Sequence, residues 1–208
     1  MEYKLVIPGE LVSEAKLKLG PHVFVENGKI YSDTVGIART DKGIARVVAL
    51  QGKYVPKVGD LVVGVVVSEE YSVYAVDINY FYYSFIPKED IKVALKKGNI
   101  ISAKVSKINE INEVSLTNVR VLYGGEVVVV EPTKVPRIIG KNASMIKLLQ
   151  SGTKCFIIVG MNGLLWVKGS EEGISLLRKA LEKIEKEAHV GNLTLKIQKL
   201  LNENKEKI

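Results

Sequence analysis

The chain carries side chains suited to holding a polyanion and no constellation suited to breaking a bond. Gly140-Lys141-Asn142-Ala143 is a short loop of small and basic residues directly before an expected helix, Ser144–Gln150. Small residues let a phosphate approach the backbone, a helix N-terminus offers free N–H groups, and Lys141 adds charge. Arg137 precedes the loop, and Lys147 follows one helical turn beyond it, within reach of the same side. Arg137, Gly140, Lys141, Asn142, Ala143 and Lys147 are therefore candidate phosphate contacts. Tyr80-Phe81-Tyr82-Tyr83 offers rings for base stacking, with Tyr82 a candidate, and Lys104 and Lys107 mark a basic strand edge. Core or interface packing is an equal reading of the aromatic run.

Catalytic chemistry finds no purchase. His22 and His189 are the only histidines, and both read as structural or surface residues. The acidic pairs Glu69-Glu70, Glu89-Asp90 and Glu171-Glu172 are adjacent in sequence, so their members do not face a common metal site. No Cys/His spacing suits zinc, and no phosphate-binding Gly-rich fingerprint is present. No metal and no cofactor is expected, and the chain reads as a non-enzyme.

Bulk properties fit a cytoplasmic nucleic-acid binder. At 208 residues and 47% hydrophobic content, the chain can bury a real core in one large or several small domains. Apolar runs such as Leu61–Val67 are too short to span a bilayer, and Met1-Glu2-Tyr3-Lys4 opens no signal peptide, so no membrane association is expected. The single cysteine, Cys155, lies in an apolar strand pattern and reads as a buried, inert thiol in a reducing compartment. The net charge of +7 is uneven: 14 Lys/Arg against 9 acids in residues 124–208, against 8 and 8 in residues 54–123. The excess accompanies the Gly140–Ala143 loop, as phosphate contact there requires, although solubility alone accommodates such a charge.

Three segments must position these residues. Residues 1–53 read as four short strands, Tyr3–Ile7, His22–Glu26, Lys29–Ile37 and Ile44–Leu50, with Asn27-Gly28 as a two-residue hairpin turn and Asp41-Lys42-Gly43 as a second turn. So small a β unit has a limited core and needs a neighbour. Residues 54–122 read as strands Leu61–Val67, Val73–Asn79, Phe81–Ile86, Ile100–Ile108 and Val114–Val119, with a helical connection over Pro87–Lys97. That is the order of an OB-fold barrel. Lys57-Val58-Gly59-Asp60 is echoed by Lys96-Lys97-Gly98-Asn99 as a turn launching a strand. Residues 124–208 read as strand Glu126–Pro132, a short helical turn, the loop, a helix, paired strands Cys155–Val159 and Leu164–Val167, and helices Gly173–Ala188 and Asn192–Asn202. Trp166 reads as core, and Asn202–Ile208 as a frayed end. The fold class is multidomain, mainly β and then α/β.

The third segment resembles a KH domain in its type I order, with Val135-Pro136-Arg137-Ile138-Ile139-Gly140-Lys141-Asn142 leading through its GXXG loop. Ala143 departs from that pattern, and because Ala takes positive φ only at a cost, a stiffer or differently shaped loop is expected. The second segment resembles an S1 RNA-binding domain through Gly59-Asp60-Leu61-Val62-Val63-Gly64-Val65-Val66, Tyr74-Ala75-Val76-Asp77-Ile78 and Ser115-Leu116-Thr117. It departs at Ala75, where a stacking aromatic is usual, and Tyr74 shares the parity of Val76 and Ile78, which points it at the core. With Val6-Ile7-Pro8-Gly9-Glu10 and the Gly160-Met161-Asn162-Gly163 turn, the whole chain resembles the S1-plus-KH cap subunit of the archaeal RNA exosome.

That resemblance implies a non-catalytic subunit that captures single-stranded RNA and delivers it to a hexameric ring of RNase PH-like subunits for 3′-to-5′ degradation or tailing. It implies three copies per complex, ring docking through the first segment with Pro8, Gly9 and Glu10, and a structural role for Gly160, Asn162 and Gly163 against the S1-like barrel. A free-standing S1/KH protein in translation or RNA chaperoning, or an adaptor with an inert KH loop, would share these sequence features.

Overall fold

The computed structural model describes residues 4–41, 43–50, 52–91, 93–188 and 192–203. The chain divides into two compact units, Met1–Gly52 and Lys53–Ile208.

The first unit holds seven short strands: β1 (Lys4–Val6), β2 (Leu11–Ser13), β3 (Lys18–Leu19), β4 (Val23–Glu26), β5 (Lys29–Ser32), β6 (Gly36–Asp41) and β7 (Ile44–Ala49). They form two small sheets, ordered β1-β6-β7-β3 and β2-β5-β4. Asn27 and Gly28, both at positive φ, make the expected turn between β4 and β5. The expected single strand Lys29–Ile37 is in fact broken. The Ser32 hydroxyl donates to the Thr34 carbonyl at 2.6 Å and accepts the Thr34 N–H at 3.3 Å, a local bond that stops the ladder. The strands β2 and β3 escaped the sequence because two or three residues carry no readable period. The core cluster is Val6, Ala38 and Val47, with Val12 and Val23 against it, so little apolar surface stabilises this unit.

The second unit begins with a closed barrel of β8 (Leu61–Glu69), β9 (Val73–Asp77), β10 (Ser84–Pro87), β11 (Ile100–Ile108) and β12 (Val114–Leu122). The order is β10-β12-β11-β8-β9, with β10 and β12 parallel and the other pairs antiparallel, which is the OB closure. Alternate residues fill it: Val62, Val66, Tyr74, Val76, Ile78, Ile86, Ile101, Ala103 and Val105 are all buried. Tyr74 thus faces the core, as its parity indicated. The two launching turns repeat one chemistry: Asp60 Oδ2 accepts the Lys57 N–H, and Asn99 Oδ1 accepts the Lys96 N–H. The expected helix over Pro87–Lys97 is absent from the described residues beyond a single 3-10 turn, Lys88–Asp90. The reason lies in the bonds at either end: Pro87 still belongs to the β10 ladder opposite Val73, and Asn99 Oδ1 takes the Lys96 N–H into the turn that launches β11.

The remaining chain is a KH fold: β13 (Glu126–Val129), α1 (Val135–Ile139), α2 (Ser144–Thr153), β14 (Phe156–Val159), β15 (Leu164–Lys168), α3 (Glu171–Lys186) and an added α4 (Leu193–Glu203). The sheet runs β13-β15-β14, wholly antiparallel. Ser170 caps α3 by accepting the Gly173 N–H at 3.1 Å, with Glu171 and Glu172 in the first turn and Lys183 and Lys186 in the last. Its buried stripe, Leu177, Ala180, Leu181 and Ile184, covers the sheet face of Leu165 and Val167 together with Ile197 and Leu201 of α4. Cys155 is buried in this layer.

The opposite sheet face packs on the barrel. Val127, Trp166 and Ile158 stand in one cross-strand row and, with Leu164, meet Val63, Ile100 and Leu122 of the barrel. Trp166 is therefore core, but of the layer between barrel and KH sheet.

One turn fastens that layer. The β8–β9 ladder begins only at Val65 and Asp77, so the backbone edge of Leu61–Val63 lacks a strand partner there. The Gly160-Met161-Asn162-Gly163 turn supplies one. The Met161 N–H donates to the Leu61 carbonyl at 2.8 Å. The Asn162 carboxamide accepts the Val63 N–H at 3.3 Å and donates to the carbonyls of Val63 (2.6 Å) and Ile78 (2.8 Å). Gly160 is needed for this approach, since a Cβ there would lie 2.7 Å from the Val63 nitrogen. Each buried backbone group left unpaired costs roughly 1–3 kcal/mol. Asn162→Ala is accordingly expected to lower unfolding stability by on the order of 3 kcal/mol. Asn162→Asp, which keeps the shape but sets a carboxylate against two carbonyls, should cost more. Denaturant unfolding in which both variants matched the parent within about 0.5 kcal/mol would contradict this role.

Candidate nucleic-acid interface

The helix α1 ends at Gly140, whose φ of 72° and ψ of 172° turn the chain out of the helix. A Cβ at this position would also lie 2.8 Å from the Met145 nitrogen. Asn142 and Ala143 follow with φ of 52° and 61°, and Ser144 then opens α2. Ala143 therefore does adopt the left-handed region that the sequence marked as costly, an expense on the order of 1–2 kcal/mol carried by the surrounding fold. The resulting loop forms one wall of a groove of about 460 Å³, lined by Pro136, Arg137, Gly140, Lys141, Ser144 and Met145. The other wall is Asn192–Leu195, the start of α4.

The groove is electropositive by construction. The helices α2 and α4 both begin there, presenting the positive ends of their dipoles. Arg137 and Lys141 are exposed and make no ion pair among the described residues. Elsewhere in this fold Arg178 pairs with Glu126 at 2.7 Å and Lys186 with Glu182 at 3.9 Å. Two free cations, two helix N-termini and a small-residue loop can hold phosphate oxygens without reading base identity.

The candidate residues do not all converge. Arg137, Gly140, Lys141 and Ser144 share the groove, and Asn142 and Ala143 belong to the loop beside it. Lys147 is exposed on α2 but is not among the groove-lining residues. Lys104 and Lys107 stand exposed on β11, away from the barrel core. Tyr82 is exposed in the β9–β10 connection. The α4 wall was missed in the sequence, because the polar start of a terminal helix carries no signal that it folds back on a distant loop. Phe85, half-buried, pairs directly with Ala75, which is itself buried, at the position where the stacking aromatic is lacking.

The remaining candidates have local partners. Pro8 and Gly9 form a turn in which the Glu10 N–H donates to the Ile7 carbonyl at 3.0 Å. The Glu10 carboxylate bonds Lys4 Nζ at 2.8 Å and accepts the Ile7 N–H at 3.2 Å, and the Lys4 bond, then the Ile7 bond, hold its pKa below the ordinary carboxylate value. His22 lies 3.3 Å from Asp33, at an exposed turn, and His189 lies outside the described residues. No cluster of His, Cys, Asp and Glu able to hold a metal occurs among the described residues. No helix among them is long and apolar enough to cross a membrane.

An OB barrel fused to a type I KH layer, with a basic groove at the KH loop, defines a class of multidomain proteins with nucleic-acid-binding folds. Sequence comparison specifies the family. Residues 3–51 match the "Exosome RNA binding protein RRP4 N-terminal domain" and residues 125–173 match the "KH domain". The Rrp4 exosome complex component of Methanobrevibacter smithii is 38% identical over 210 residues, spanning 95% of this chain and 70% of that protein. Those of Thermococcus kodakarensis and Methanothermus fervidus are 36% and 34% identical, covering 84% and 96% of their own lengths. A crystal structure assigned to an exosome complex RNA-binding protein superposes with a TM-score of 0.67 at 30% identity, over 75% of this chain and 99% of that one. This chain belongs to the Rrp4 family of exosome complex components.

Proposed function

We propose that this chain is a non-catalytic, RNA-binding subunit of an exosome. It captures single-stranded RNA and passes it to a hexameric ring of RNase PH-like subunits for 3′-to-5′ degradation or tailing in the cytoplasm, with three copies per complex. In this reading residues 1–53 dock on the ring, residues 54–122 act as the S1-like barrel, and residues 124–208 act as the KH domain. The observation that carries the reading is the groove beside Gly140–Ala143, where Arg137 and Lys141 stand exposed without an ion-pair partner among the described residues. The exosome RNA-binding names of its relatives agree with it. For docking, the support is an exposed apolar row on the first unit: Leu5 pairs with Ile37, which pairs with Val48, on the face opposite Val6, Ala38 and Val47. An outward apolar row on a unit with so small a core suits burial against another subunit.

Two experiments separate the parts of this proposal. Arg137→Ala with Lys141→Ala should weaken binding of all single-stranded RNA sequences alike, by about 1–2 kcal/mol, and flatten the slope of log K against log salt by about 0.7 per lost phosphate contact. An unchanged slope in this variant, with a reduced slope in Lys104→Ala, would move the phosphate site to the barrel edge. For docking, a chain lacking residues 1–53 should no longer co-elute with the ring. Stoichiometric co-elution of the shortened chain would overturn that assignment.

A further inference from the structure

The connection between β9 and β10 is built to hold aromatic rings in solvent. Asn79 takes the left-handed conformation, with its N–H donating to Asp77 Oδ1 at 2.8 Å and its side-chain amide donating to the Asn162 carbonyl at 3.3 Å. Tyr80 packs half-buried against the barrel core. Ser84, on the far side, is fully buried at the start of β10. The segment is thus pinned before and after, and between the pins Phe81, Tyr82 and Tyr83 are 65%, 58% and 54% exposed. Tyr80 meets Phe81 and Tyr82 edge-on, with centroids 5.8 and 6.0 Å away, which fixes the orientation of both rings. Lys53 places Nζ 4.3 Å from the Phe81 centroid and makes no ion pair among the described residues.

Three consecutive large rings held in water are costly unless something covers them. The patch is three exposed rings, and a cation, Lys53, lies on the face of one of them. Rings that take bases beside a cation that takes the phosphate are the chemistry of single-strand binding, whereas the core of a protein interface is depleted of Lys.

We propose that Phe81, Tyr82 and Tyr83, with Lys53, form a nucleobase-stacking platform for single-stranded RNA, distinct from the phosphate groove of the KH layer. This rests on the RNA-binding reading above. Stacking is indifferent to hydrogen-bonding edges, so the platform favours purines by ring area and has no strict sequence preference.

The test uses the full chain and three oligonucleotides of equal length: oligoadenylate, oligouridylate and an abasic ribose-phosphate oligomer. The combined variant Phe81→Leu, Tyr82→Leu and Tyr83→Leu keeps apolar bulk but loses the ring faces. It should bind oligoadenylate at least about tenfold more weakly, lose most of its preference over oligouridylate, and bind the abasic oligomer like the parent, with an unchanged salt slope. Tyr82→Phe with Tyr83→Phe should retain parental binding, and Tyr82→Leu alone should show a smaller loss, independent of any folding defect in the triple variant. Parental oligoadenylate affinity in the triple variant would overturn the platform and leave the patch to a protein partner. An equal loss for the abasic oligomer would overturn it too, since bases would not be what is held. If the parent chain binds none of the three oligomers, the RNA-binding reading itself fails, and the platform with it.

Discussion

The second unit depends on one side-chain amide. A carboxamide has the donor and acceptor of a peptide group, so Asn162 can stand in for a missing stretch of strand. It does so where β8 has run ahead of β9, taking the N–H and carbonyl of Val63 and the carbonyl of Ile78. Those groups would otherwise be buried and unpaired at the junction. No other side chain of that size meets all three: Asp lacks the donor, Leu lacks both, and Ser is too short to span two strands. The apolar row Val127–Trp166–Ile158 closes around this contact, and its burial is what makes barrel and KH layer one body rather than two beads.

The bonding at this junction reaches the aromatic segment. The Asn79 amide, which pins the aromatic segment, bonds the Asn162 carbonyl, so the residue that joins the two folds also orients the rings at the barrel's end. The KH groove, in turn, is built on α1, α2 and α4, whose apolar faces cover the same sheet that packs on the barrel. The proposed phosphate groove and the ring-presenting segment are therefore parts of one packed unit. The first unit contrasts with this. Val6, Ala38 and Val47 form a core too small to stabilise many strands, while Leu5, Ile37 and Val48 line its outer sheet face.

Much of this was legible in the sequence because period and punctuation agreed. The β-branched runs of Leu61–Val67 and Ile100–Ile108, launched by matching Lys-x-Gly-Asp and Lys-Lys-Gly-Asn turns, give the barrel its strands, and the stripe of Leu177, Leu181 and Ile184 gives the KH layer its long helix. What escaped was of two kinds. Elements of two or three residues, β2 and β3, are too short to show a period, and the helical composition of Pro87–Lys97 is overridden by the β10 ladder at one end and the turn before β11 at the other. The second kind depends on tertiary contact. The packing of α4 beside Gly140, the pairing of Phe85 with Ala75, and the three bonds of Asn162 link residues far apart in the chain or on different strands, and no local pattern encodes them. Ala143 illustrates the same limit: its left-handed φ is imposed by the turn between α1 and α2, against its own preference.

The central proposal is that one packed unit holds RNA at two stations, bases at Phe81–Tyr83 and phosphates at the KH loop. Photo-crosslinking of the full chain to a single-stranded oligonucleotide containing 4-thiouridine, followed by identification of the modified peptides, tests it most directly. The expected result is adducts within both 80–85 and 136–147 from the same oligonucleotide, competed by unlabelled RNA. Adducts confined to other surfaces, or to neither segment under conditions where binding is saturated, would contradict it.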